Sequence, residues 1–165
     1  MRWRRFRDEE LLDQERDDRL VRPFYRQMMG ASAIAHGRDL LPAIAAAGAN
    51  AAAPDVIALL RSGGWREEVI GAWLALQYND ESVTGQVLQT LARSRGVLTA
   101  PPLATSAVVL AGTNAVTVLG EYHRRDTTET LGAGGSWRTR WRTSEPSSRA
   151  HQVTTIATPS ASCSP

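Results

Sequence analysis

Lysine is missing from this chain: all 19 basic side chains other than histidine are arginine. A GC-rich gene produces that bias by itself, so it is not read as a demand for guanidinium chemistry. Cysteine occurs once, as Cys163, which excludes a disulfide within the chain and leaves nothing that points to an oxidising compartment. His36, His123 and His151 stand apart from one another and from that cysteine, so metal-ligand spacing is absent, and neither a metal nor another cofactor is expected. The start "MRWRRFRDEELL" is not followed by an apolar run, and no stretch approaches the roughly twenty apolar residues of a membrane span. A cytoplasmic location without membrane contact is the resulting expectation.

Catalytic signatures are missing as well. The chain has no GxSxG, no P-loop, no HExxH and no nucleotide-type glycine fingerprint. Glu67 and Glu68 are adjacent, so on a helix they diverge by about 100° and cannot pair as acid and base. They read as the solvated first turn of a helix, where the dipole favours negative charge. His123, beside Arg124 and Arg125, has no nucleophile to serve. A non-enzymatic protein is expected.

What is present suffices for one core: 165 residues, 42% of them hydrophobic, with aromatics at only 6%, so small aliphatics must fill most of it. The formal net charge is +2, and the 15 arginines up to Asp126 are balanced by 15 acids. A neutral body does not mark a general polyanion binder; the positive excess lies beyond it.

Three regions follow. Residues 1–7 alternate Arg with Trp3 and Phe6 and read as a flexible basic terminus. Residues 8–126 form the helical domain, and residues 127–165, about half Ser, Thr, Gly and Pro without apolar periodicity, read as a disordered tail. Text of that kind also arises when a GC-rich gene is translated out of frame, so a frameshift after Asp126 is one origin for it. Within the domain, Pro23 suits the first turn of a helix carrying Phe24, Tyr25, Met28 and Met29, with Gly30 as its stop. The next runs from Arg38 to Ala53, with Pro42 in its first turn and Leu40, Leu41, Ile44 and Ala47 or Gly48 on one face. Pro54 opens a short helix that ends at "RSGG".

In "GWREEVIGAWLALQYND" Trp65, Val69, Ala72 and Leu76 repeat at helical spacing, Ile70 and Trp73 widen the stripe, and Leu74 and Ala75 lie toward the other side. A helix apolar nearly all round is sandwiched between neighbours, with Trp73 in the core, and Gly71 marks close approach of another backbone. Asp80 is the N-cap of a helix with Val83, Val87, Leu88 and Leu91 on one stripe and Gly96 as C-cap. A helix from Leu103 to Ala111 closes at Gly112, and Asn114 caps the last one, with Val116, Leu119 and Tyr122 on its apolar face. "VIALLRS" at Val56–Ser62 echoes "VLQTLARS" at Val87–Ser94, each ending one helix of a hairpin. The fold class is therefore all-α, with short antiparallel hairpins stacked as a HEAT-like solenoid.

"RPFYRQ" after the acidic N-terminal run, "GWREEVIGAWLAL" in the middle and "LGEYHRRD" late in the domain resemble, in that order, the bacterial family catalogued as domain of unknown function 6000. The likeness spans residues 8–126, and the WR…GAW block is its most specific part. It implies a small HEAT-like protein of bacterial cytoplasm with no established activity. The chain departs from the family at His123, where leucine is usual, and after it, where the family continues with a further helical segment.

Two functional classes remain. The first is a protein-binding helical module, antitoxin-like, immunity-like or regulatory, with Arg22, Tyr25, Arg26, Arg61, Trp65 and Arg66 as candidate partner contacts, because Tyr, Trp and Arg dominate binding hot spots. The second is a nucleic-acid-binding helical repeat or a DNA-acting enzyme without a recognised motif, supported only by the arginine clusters near both ends, including Trp137 and Trp141 among Arg138, Arg140 and Arg142.

Overall fold

Pro23 has no N–H to offer a preceding turn, and it ends a helix rather than starting one. In the computed structural model, which describes residues 10–28 and 30–132, helix α1 (10–16) widens into a π-turn at Asp17–Val21, where the Arg22 N–H donates to the Asp17 carbonyl at 3.0 Å. Arg22 to Met28 then follow as consecutive turns. The six helices that follow are α2 (Gly30–Asn50), α3 (Ala53–Arg61), α4 (Trp65–Ala75), α5 (Glu81–Arg93), α6 (Ala100–Ala111) and α7 (Ala115–Glu129). Every described element is helical, and no strand occurs among the described residues.

Several expected boundaries move. Gly30 opens α2 instead of stopping a helix, and Pro42 lies inside α2. Its missing N–H costs α2 one backbone bond, while the surrounding alanines, strong helix formers, carry the helix past it. Leu41 is exposed, so the buried side of α2 runs through Ile44 and Gly48. α5 ends at Arg93, and Gly96 serves instead as acceptor for the Ala100 N–H at 3.1 Å. α7 continues to Glu129 and Leu131 packs on the core, so the helical domain passes the expected limit at Asp126. The flexible terminus expected at 1–7 lies outside the described residues, as does the part of the tail expected at 127–165 that follows residue 132.

Other local signals act as read. Asp80 caps α5, its Oδ1 accepting from the Ser82 N–H at 2.7 Å and the Val83 N–H at 3.4 Å. Those bonds stabilise the carboxylate, so its pKa lies below the ordinary aspartate value, the Ser82 hydroxyl contributing most. Gly112 stops α6 at φ 54°, a left-handed conformation that suits glycine. Asn114 precedes α7 but makes no side-chain cap.

Each middle helix packs on the next and on the next but one. α3 lies on α4 and α5, α4 on α6, α5 on α6 and α7, and α2 on α4. α4 is the centre: Val69, Ile70, Ala72, Leu74 and Ala75 are all buried, on every side of the helix. Gly71 faces α3, where an added Cβ would lie 3.2 Å from Leu59 Cβ and Leu60 Cγ. The close approach expected there is to side chains, not to a backbone. Trp73 is only half-buried, so the core position expected for it belongs to Ile70 and Leu74.

The last carbonyls of a helix lack partners within it. Here they are taken by side chains from two helices further on. Tyr78, after α4, donates to Ala51 and Gly48 at the end of α2 at 2.6 and 3.0 Å. Thr90 of α5 donates to Leu60 of α3 at 3.0 Å, and Arg93 donates to the same oxygen. Ser106 of α6 donates to Ala72 of α4 at 2.6 Å. Arg125 of α7 donates to Ala92 and Ser94 at the end of α5. The sequence separations of these latches run from 27 to 34 residues.

Candidate functional site

The turns after the π-segment carry Tyr25 to the start of α4, and there three of the six candidate side chains meet. The Tyr25 and Trp65 rings stand edge to face, with centroids 6.2 Å apart and planes at 69°. The Arg66 guanidinium lies over both rings, 4.7 Å from the Trp65 centroid and 5.2 Å from that of Tyr25. Arg26 joins as a fourth: its Nε–H donates to the Tyr25 hydroxyl at 3.1 Å, and its guanidinium carbon is 5.8 Å from the ring centroid. Both aromatic rings are half-buried and both arginines exposed, so the cluster is a surface platform.

Electrostatics tie a fifth residue to it. The Tyr25 hydroxyl is held below its ordinary pKa, chiefly by the hydrogen bond from Arg26; partial desolvation opposes this, and the charges of Arg26, Arg66 and Arg22 add to the lowering. Arg22 itself is held back by Asp18, 2.9 Å from its Nε, in an i,i+4 pair. Arg61 is elsewhere: its Nε–H donates to Gln86 Oε1 at 2.6 Å, and it lines an open cleft between the α1 region and α3. That cleft, about 730 Å³, brings Asp13, Arg16 and Asp17 opposite Ile57, Arg61 and Glu67.

Residue type, Tyr, Trp and Arg, could name the platform residues but not join them. What joins them is the docking of the α1 region on the middle helices. Asp55, in the first turn of α3, receives Arg19 at 2.8 Å and Arg16 at 3.4 Å, and the π-turn packs on α4. None of these three residues was signalled by local pattern, since partners 36 and 39 residues apart share no periodicity.

A second polar cluster also escaped the sequence. Glu68, expected in solvent, is buried, with Oε1 3.6 Å from Arg93 Nη2. Desolvation pushes its carboxyl pKa up, and the Arg93 charge pulls only partly against it. From Arg93 the network runs through the Leu60 carbonyl to Thr90, Gln86 and Arg61. It sits at the end of α3, where Thr90 and Arg93 together satisfy the Leu60 carbonyl. Among the described residues no group of three or more His, Cys, Asp or Glu side chains is placed to hold a metal ion.

No known protein family, curated protein or solved structure matches this chain.

Proposed function

We propose that this chain is a non-enzymatic protein-binding module of bacterial cytoplasm, antitoxin-like, immunity-like or regulatory, that engages its partner through the platform of Tyr25, Trp65, Arg66, Arg26 and Arg22. The observation that carries the reading is Arg66 lying over two aromatic rings at once. Stacking pre-organises the exposed Arg66 guanidinium, which cuts the entropy lost when it meets a carboxylate. Aromatic rings and arginine together are also the composition of binding hot spots. The occupant is a protein segment presenting acidic side chains. Arg61, tied to Gln86, belongs to the support of α3 and is withdrawn from the contact set.

The helices are read as a HEAT-like solenoid, in keeping with the resemblance to domain of unknown function 6000. What supports this is the recurrence of the carbonyl latches between helices two apart, at separations that fit one helical hairpin per repeat. The nucleic-acid reading has one observation in its favour, since the same rings and arginines would stack on exposed bases. The even charge balance of residues up to Asp126 weighs against it.

Retention of host proteins on the immobilised wild-type chain and on Tyr25→Ala and Arg66→Glu variants tests the proposal. A retained protein that both substitutions release supports it. Retention unaffected by either, or oligonucleotide binding with a steep salt dependence that both abolish, defeats it.

A further inference from the structure

Charge is absent from one continuous part of the surface. From Ala100 to Gly120 the chain contains no Asp, Glu, Arg or His, yet much of this stretch faces solvent. On α6 the exposed residues Thr105, Val108 and Val109 follow one another at helical spacing, with Val108 at 52% and Val109 at 65% exposure. Across the turn at Gly112–Asn114, Val116 opens α7 at 66% exposure, followed by exposed Thr117. Apolar exposure grouped in this way marks an interaction surface, whereas single exposed apolar residues are ordinary.

The packing order explains why this face is bare. α4 has helices on both sides, α2 and α6, whereas α6 packs on α4, α5 and α7 and its outer side, with Thr105, Val108 and Val109, has no described helix over it. Stacked helices need a polar cap at the end of the stack. α6 presents valines there instead.

We propose that the α6–α7 end face docks a second copy of this chain, face to face about a two-fold axis. The charge pattern selects that occupant. A two-fold interface brings a surface against itself, so any charged group near the axis meets its own copy at close range. The Ala100–Gly120 surface is without such groups, while the surfaces of α1, α3, α5 and the end of α7 all carry them. The chain's own remaining segment is a poorer fit. It follows Gly132, beyond the end of α7 at Glu129, which is itself about 20 Å from Val116 at 1.5 Å per residue, and it carries Arg138, Arg140, Arg142 and Arg149, for which this face has no counter-charge. A lipid surface is the other competitor: against the expectation that no stretch approaches a membrane span, Ala100–Glu129 contains a window long and apolar enough to cross a membrane by length and composition. Against it, the stretch is broken at Gly112 by a left-handed backbone, and the buried side of α6 already packs on α4 and α5. With five such side chains per copy the interface is smaller than the ~800 Å² per partner of a standard complex, so the association is weak and concentration-dependent.

The experiment uses the full chain with a photo-crosslinking amino acid at position 109, together with sedimentation over a roughly hundredfold concentration range. The weight-average mass should climb toward twice that of the monomer, and illumination should give covalent dimers. Val116→Asp and Thr105→Arg should each abolish both signals while leaving the melting temperature unchanged. Four results would overturn the proposal: a monomer at every concentration, crosslinks only to peptides of 133–165 in the same chain, transfer to phosphatidylcholine vesicles with lipid crosslinks and no dimer, or self-association that neither substitution alters.

Discussion

Two neighbours on α4 separate the effect of size from that of burial. Leu74 is fully buried, and Trp73, though larger, is half-buried with its indole N–H enclosed and without a hydrogen-bond partner. Leu74→Ala should cost about 2–5 kcal/mol by transfer and cavity effects. Trp73→Phe removes an unsatisfied donor while keeping most of the packed ring, so thermal unfolding should find it within about 1 kcal/mol of the wild type. A Trp73→Phe loss as large as that of Leu74→Ala would mean that the indole N–H is engaged. Glu68 offers a test by pH. Its folded pKa is raised above the unfolded value, so the folded state binds its proton more tightly. Its contribution is therefore fully present below the unfolded pKa and is lost as pH rises through the folded one. The difference in melting temperature, wild type minus Glu68→Gln, should fall as pH is raised from about 4 to 7, a window that starts near the unfolded glutamate pKa. A difference independent of pH would show that Glu68 is not desolvated. Asp80 acts with the opposite sign: its lowered pKa contributes stability above the unfolded value that is lost on acidification.

At the scale of the helix, the latches connect chain ends that propensity alone leaves weak. α5 is the clearest case, since the carbonyls of Ala92 and Ser94 both receive the Arg125 guanidinium, which also lies 5.4 Å from the Tyr122 ring centroid. Arg125→Ala strands both acceptors and removes a cation from the negative end of the α5 dipole. It should destabilise by about 1–3 kcal/mol, measured by chemical denaturation, since hydrogen bonds to charged groups fall in that range. Arg124→Ala, one residue away and exposed, serves as control and should be near neutral. Equal effects of the two would remove the latch as the cause. Gly71→Ala illustrates a balance: the gain of about 1 kcal/mol in helix propensity is set against overpacking of Leu59 and Leu60, at 3.2 Å from the new Cβ, which costs about 1–3 kcal/mol. Both leucines are held in the core, so a net loss is expected.

For the molecule as a whole, burial is concentrated in α3, α4, α5 and the inner side of α6 and declines toward α2 and α7. α2 contributes Ile44 as its only fully buried large side chain among those described, and α7 contributes Ala115 and Tyr122. Opening free energies should therefore be graded, lowest at the two ends of the stack. Hydrogen exchange followed by mass spectrometry should find the α4 and α5 amides exchanging last and those of α2 and the second half of α7 well before them. Simultaneous exchange throughout would show a single all-or-none unit and would remove the argument for near-neighbour stacking.

From α2 onward helix existence was legible in the sequence because it depends on residues close in the chain, whereas α1 was not anticipated and the helix expected from Pro23 is a run of turns. Asp80 and its capping turn, Pro54 at the start of α3, Gly112 at the end of α6 and the all-round apolar pattern of α4 each act within about two turns. Where sequence reading failed, a distant group was in control. Pro23 and Gly30 were assigned to the wrong helix ends because the π-turn and the docking of α1 through Asp55 set that backbone. Glu68 looked solvated because its cover, including Arg93, lies in another helix. The candidate platform shows both limits: its residue types were readable from arginine beside aromatics. The stacking of Arg66 on Tyr25 and Trp65, and the removal of Arg61 to Gln86, were decided by tertiary packing, which brings together side chains that no local periodicity relates.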